Sequence, residues 1–66
     1  MDLLQEARRL EEEGRLHDAL EAAQAACERR PREPEAWTVL ARISGRLGMT
    51  VASQDAARRA AELAGG

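Results

Sequence analysis

Sixty-six residues with ten arginines, no lysine and twelve acidic side chains give a net charge of −2. That length supports one small domain with a marginal core, and the near-balance of charge excludes the concentrated basic surface that a phosphate backbone requires. Fourteen of the apolar residues are alanine and only Trp37 is aromatic, which removes a stacking platform for bases; the lone Cys27 removes a disulfide framework or a cysteine-based zinc site within one chain.

Alanine, leucine, glutamate and arginine, the strong helix formers, dominate the chain, and no alternating run of β-branched or aromatic residues signals a strand. Breaks at Gly14, Pro31 to Pro34, Gly45 to Gly48 and Gly65-Gly66 leave four segments of helical length. The first helix opens at Asp2, with Gln5 three residues on completing a capping box, and sets Leu3, Ala7 and Leu10 on one face. The second starts near His17-Asp18, carries Leu16, Ala19, Leu20, Ala23 and Ala26, and closes on Arg29-Arg30 at its negative end. Cys27 is expected to pack there as a small hydrophobe. In the third, Pro34 suits the first turn, and Trp37, Leu40, Ala41, Ile43 and Leu47 make the apolar stripe. Trp37 is expected to wedge between two hairpins as core. Thr50 is a candidate N-cap for the fourth helix, which carries Val51, Ala56, Ala57, Ala60, Ala61 and Leu63 and ends in a glycine pair expected to fray. Spacings of three and four mean amphipathic helices with one buried stripe each. No apolar run approaches the roughly 18 to 20 residues of a membrane span, and the start lacks the pattern of a signal peptide, so a cytoplasmic protein without a membrane partner is expected.

The chain repeats itself. A shift of 34 residues lays Ala7 on Ala41, Arg8 on Arg42, Gly14 on Gly48, Ala22 on Ala56, Ala23 on Ala57, Ala26 on Ala60 and Glu28 on Glu62, the period of a helix–turn–helix unit of tetratricopeptide length. From about Asp2 to Ala64 the chain therefore resembles two tandem tetratricopeptide repeats. Trp37, Leu40 and Ala41 stand at the family's aromatic, leucine and small positions, and the first unit keeps Ala7, Leu10, Gly14, Leu16, Ala19, Ala23, Ala26 and Pro31. Leu3 and Glu6 depart from the family pattern, as do Ser44, Thr50, Ser53 and Ala57, which thin the expected core of the second unit. The resemblance implies an all-α fold. Two helix-turn-helix hairpins, four antiparallel helices in all, would stack as a short α-solenoid in a single domain over 1–66, with repeats at about 2–33 and 34–66.

The same resemblance implies a scaffold that binds a peptide or partner helix in a groove. By analogy that groove is lined by Leu4, Gln5, Arg8, Glu11 and Glu12, then Thr38, Val39, Arg42 and Arg46. The subset that grips the acidic tail of heat-shock chaperones uses a lysine and asparagines where this chain has Leu4, Arg8 and Val39, so that carboxylate clamp is not expected. Arg8, Arg42 and Arg46 could grip an acidic segment through charge-assisted hydrogen bonds; equally, they could form a solvated face paired with Glu11 and Glu12. No catalytic, cofactor or metal site is expected. His17 has no nucleophile at a readable spacing, Glu11-Glu12-Glu13 lacks a glycine-centred metal loop, and no glycine-rich phosphate loop occurs. The implied function is a non-catalytic protein–protein interaction module, such as an adaptor, assembly factor or chaperone-like subunit, with a protein or peptide partner and no nucleic acid. The alternative is a self-associating scaffold, or an excised or designed repeat fragment without an evolved ligand. The fourth helix carries more small apolar residues than one stripe needs, so Ala52, Ala56, Ala57, Ala60, Ala61 and Ala64 are expected to form a self-association surface, most simply in a two-fold dimer.

Overall fold

Helices form between the glycine and proline breaks: α1 (Leu3–Glu12), α2 (Leu16–Arg29), α3 (Pro34–Arg46) and α4 (Thr50–Gly65). The computed structural model describes residues 2–65, and no strand occurs among them. Of the expected frayed glycine pair, Gly65 closes α4 and Gly66 lies outside the described residues. Asp2 caps α1, its carboxylate accepting the Leu4 N–H at 3.0 Å. α2 begins one residue earlier than expected, after Arg15, which makes no side-chain cap bond; Arg15 instead pairs with Asp18 at 2.7 Å. Pro34 opens α3, where a missing N–H costs nothing. Thr50 is not an N-cap as expected but the first residue of α4, and the Ser53 N–H donates to the carbonyl before it, Met49 O, at 2.9 Å.

Each hairpin turns in the same way. Gly14 and Gly48 adopt φ of 81° and 76°, a left-handed conformation that a Cβ disfavours. The residue after each glycine donates back five residues: Arg15 N–H to Leu10 O and Met49 N–H to Ser44 O, both at 2.9 Å. Gly14 and Gly48 themselves donate to Glu11 O and Gly45 O. These paired bonds are the Schellman closure of a helix C-terminus, repeated once per hairpin.

The core sits under α1, α2 and α3. One apolar cluster gathers Ala7, Leu10, Ala19, Ala23, Val39 and Ile43; a second gathers Ala26, Cys27 and Ala36, with Trp37 packed at its edge. Burial pushes the Cys27 thiol up to about 11, so it stays protonated at neutral pH. Trp37 is a partly buried bridge. Its Nε1 donates to Pro31 O at 2.8 Å and the Arg59 guanidinium of α4 lies 5.0 Å from the ring centroid. Val39 is 1% exposed, which corrects its assignment to the groove. It lies three residues after Ala36 and four before Ile43, on the stripe of α3 that faces the core.

α4 joins differently. Among the described residues neither apolar cluster contains one of its residues, and it packs on α3 alone. Ala56 and Ala60 are buried in that contact, which removes both from the expected outward surface. Gly45 was expected to break the helix, yet it lies inside α3, where its bare Cα lets α4 approach. A Cβ there would meet Ser53 Oγ at 3.2 Å, and that hydroxyl is held at 2.8 Å on Ala41 O. Ser44 is 1% exposed and its Oγ has no hydrogen-bond partner, where the first repeat has Leu10. The thinning expected in the second hairpin thus takes the form of small residues and close backbone approach.

Replacing a helix-interior glycine by alanine ordinarily stabilises by about 1 kcal/mol. At Gly45 the fixed Ser53 hydroxyl should absorb part of that gain. Gly45→Ala is therefore expected to stabilise more in a Ser53→Ala background than in the wild type, read as a coupling energy from urea unfolding of the four proteins. Equal effects in both backgrounds would show that the contact carries no strain.

Candidate protein-binding face

α1 and α3 lie side by side and are tied by arginines from both. The Arg8 guanidinium of α1 donates to the Glu35 carboxylate of α3. In the reverse direction Arg42 Nε donates to both oxygens of Glu11 at 3.0 Å, and its Nη2 to Oε1 at 2.7 Å. Arg46 Nη1 adds a bond to Glu11 Oε2 at 3.1 Å. The planar fork of arginine permits this two-bond grip, which lysine could not supply. Residues four apart on α3, Arg42 and Arg46, project from one helix face and converge on one carboxylate.

Glu11 is 8% exposed. A buried carboxylate is tolerable only when paired and hydrogen-bonded, and both conditions hold. The hydrogen bond from Arg42 holds the Glu11 carboxyl below the usual glutamate range, against the upward pull of its burial, with Arg46 adding to the effect. Reciprocally, Glu11 raises the Arg42 guanidinium. The three arginine side chains remain 41%, 49% and 52% exposed for Arg8, Arg42 and Arg46. Their outer edges face solvent.

Of the other residues expected on this face, Gln5, Glu12 and Thr38 are exposed and Leu4 is half-buried against both apolar clusters. Thr38 Oγ1 bonds back to Pro34 O at 3.1 Å. Glu11 was expected to be open to a partner; its burial under Arg42 and Arg46 corrects that. The arginine face does pair with Glu11, whereas no ion pair to Glu12 occurs among the described residues. Glu35 escaped the sequence reading. It is 27 residues from Arg8, beyond any helix-period rule, and only the stacking of α1 on α3 brings the two together.

On the far side, α4 exposes Ala52, Ala57, Ala61 and Ala64, with Val51 at 81%. The matching residues of α2, Ala23 and Cys27 for Ala57 and Ala61, are buried. Among the described residues no cluster of three or more His, Cys, Asp or Glu side chains could hold a metal ion, and no helix is long and apolar enough to cross a membrane.

A tetratricopeptide-repeat family profile matches residues 2–43, most of the chain. The chain belongs to the tetratricopeptide repeat family. Tetratricopeptide repeats generally mediate protein–protein interaction. The match ends one residue before Ser44, the first of the small or polar residues that set the second hairpin apart. No curated protein and no solved structure matches the chain.

Because the folded chain holds the Glu11 carboxyl below its unfolded value, the Glu11–arginine cluster contributes stability at neutral pH that is lost as pH falls through that depressed titration. Glu11→Gln should therefore cost about 1 kcal/mol near pH 7, the figure held low because both guanidinium groups are half in water. The gap should close on acidification below the ordinary glutamate range. Urea unfolding of both proteins across pH checks this, and a gap that does not change with pH would refute it.

Proposed function

We propose that this tetratricopeptide repeat chain is a non-catalytic interaction module, of the adaptor, assembly-factor or chaperone-like kind. Its α1–α3 face would take an acidic peptide or helix. The observation that carries the reading is the set of three half-exposed guanidinium groups on one face, Arg8, Arg42 and Arg46, two of them held in place by a shared buried carboxylate. Charge-assisted bonds from such groups are worth roughly 1.5 to 3 kcal/mol each. We take residues 1–66 as one domain of two repeats, about 2–33 and 34–66. A single buried thiol is in keeping with a reducing, cytoplasmic setting.

Arg42 is a poor choice for charge reversal, because a carboxylate there would face the buried Glu11. Arg8→Gln with Arg46→Gln avoids that and should weaken binding of an acidic peptide at least tenfold, about 1.4 kcal/mol, at unchanged helicity. Calorimetric affinities unaltered in the double variant would remove the face as the binding site.

A second surface supports self-association. Ala57 and Ala61 are exposed on α4 while their counterparts on α2 lie under another helix. Head-to-tail stacking of copies finds no match for this strip. At the 34-residue shift, α1 presents Gln5, Glu6 and Arg9 where α3 presents Val39, Leu40 and Ile43. A two-fold pairing of α4 on α4 sets apolar against apolar and closes on itself. The wild type is expected to be dimeric by light scattering at high micromolar concentration, and Ala57→Glu with Ala61→Glu should give monomers. A wild-type monomer under those conditions refutes the dimer.

A further inference from the structure

We propose that Glu11 is a built-in competitor for the arginine pair of α3, an internal acidic ligand that a partner carboxylate must displace to take the Nε edge of Arg42. This rests on the reading that the α1–α3 face binds acidic segments.

Arg42 spends its side edge, Nε and Nη2, on Glu11, and Arg46 spends Nη1. That edge of Arg42 is one of the two on which a guanidinium receives a carboxylate through two parallel bonds; the other, formed by Nη1 and the second hydrogen of Nη2, is left open. A partner carboxylate reaching Arg42 from solvent therefore meets a guanidinium whose Nε edge is occupied and whose charge is already shared with Glu11. Glu11 is covalently part of the chain, so it competes at high effective concentration.

The device belongs to one repeat only. At the position equivalent to Glu11, the second repeat has Gly45, which carries no side chain at all. Arg8, the counterpart of Arg42, is paired instead with Glu35, whose side chain is 52% exposed, and that pair exchanges freely with water. The face thus has two tiers. Arg8 is available at little cost, and the Arg42 and Arg46 pair opens only to a ligand that outcompetes a buried carboxylate. Such a ligand carries several closely spaced carboxylates. A segment with one isolated acidic residue engages Arg8 and leaves Glu11 in place. Affinity for the dense acidic ligand is lowered by the fraction of molecules in which Glu11 holds the pair.

The probe is an acetylated oligoglutamate peptide, with oligolysine as control, titrated by calorimetry into wild type, Glu11→Gln, and Glu11→Gln combined with Arg42→Gln. About tenfold tighter oligoglutamate binding by Glu11→Gln is expected, the gain vanishing in the double variant and absent for oligolysine. Binding by wild type that Glu11→Gln leaves equal or weaker overturns the competitor and leaves the acidic-ligand reading standing. No oligoglutamate binding by either protein overturns both. One measurement needs no variant: in wild type the Arg42 Nε–H resonance should move as oligoglutamate saturates the face, because its acceptor changes. An unmoved resonance at saturation overturns the displacement.

Discussion

α3 is the one helix that touches the other three, and its Val39 and Ile43 are the largest side chains buried almost completely. A core of alanines buries little apolar area per residue, so two branched side chains on one helix carry a disproportionate share of the packing. The geometry follows from that constraint. α1 and α2 close over Val39 and Ile43 from one side, and α4 lies on α3 from the other without entering either apolar cluster. Alanine at the contacts lets helix axes approach, and close approach sets charged residues of α1 within reach of α3. The Glu11 cluster is therefore a consequence of a small-residue core.

The hairpin architecture was legible because its signals are local. Gly14 and Gly48 sit at the two left-handed turn positions, Pro34 at a first turn, and Asp2 at a cap, each decided by the conformation of one or two residues. The face residues were harder. Family register puts Val39 in the groove, whereas its spacing from Ala36 and Ile43 sets it on the buried stripe. Glu11 stands in a run of three glutamates; its place four residues after Ala7 sets it on the buried side of α1, but the partner that makes its burial tolerable, Arg42, lies 31 residues away. On α4 the failure has another cause. Alanine occupies both the inward and the outward positions, so Ala56 and Ala57 look alike until a neighbouring helix exists to bury one of them.

The two hairpins solve the same problem by different means. The first buries Leu10 at the position where the second buries Ser44, a hydroxyl left without a partner. An unsatisfied buried hydroxyl costs about 1 to 3 kcal/mol, and it stands just past the end of the family match. The second hairpin offsets this through close backbone approach at Gly45, the Ser53 bond to Ala41 O, and Arg59 laid over Trp37. These contacts are polar or short-range, and they bury little apolar surface. α4 is for that reason the element expected to open at the lowest free energy, since local stability follows buried apolar contact.

The arginines that reach Glu11 also join the two hairpins, so on the proposed reading stability and recognition would draw on one set of hydrogen bonds. If a partner carboxylate takes Arg42 from Glu11, the Glu11 carboxylate returns to water and the tie between α1 and α3 passes through the partner. The Arg8–Glu35 pair remains as a lateral contact, but it is exposed and weak. Part of the binding energy is then used to replace an internal contact, and only the surplus appears as affinity. A chain of this size has little stability to spare, so a tie that strengthened in the free state would close the face and a weaker one would loosen the stack.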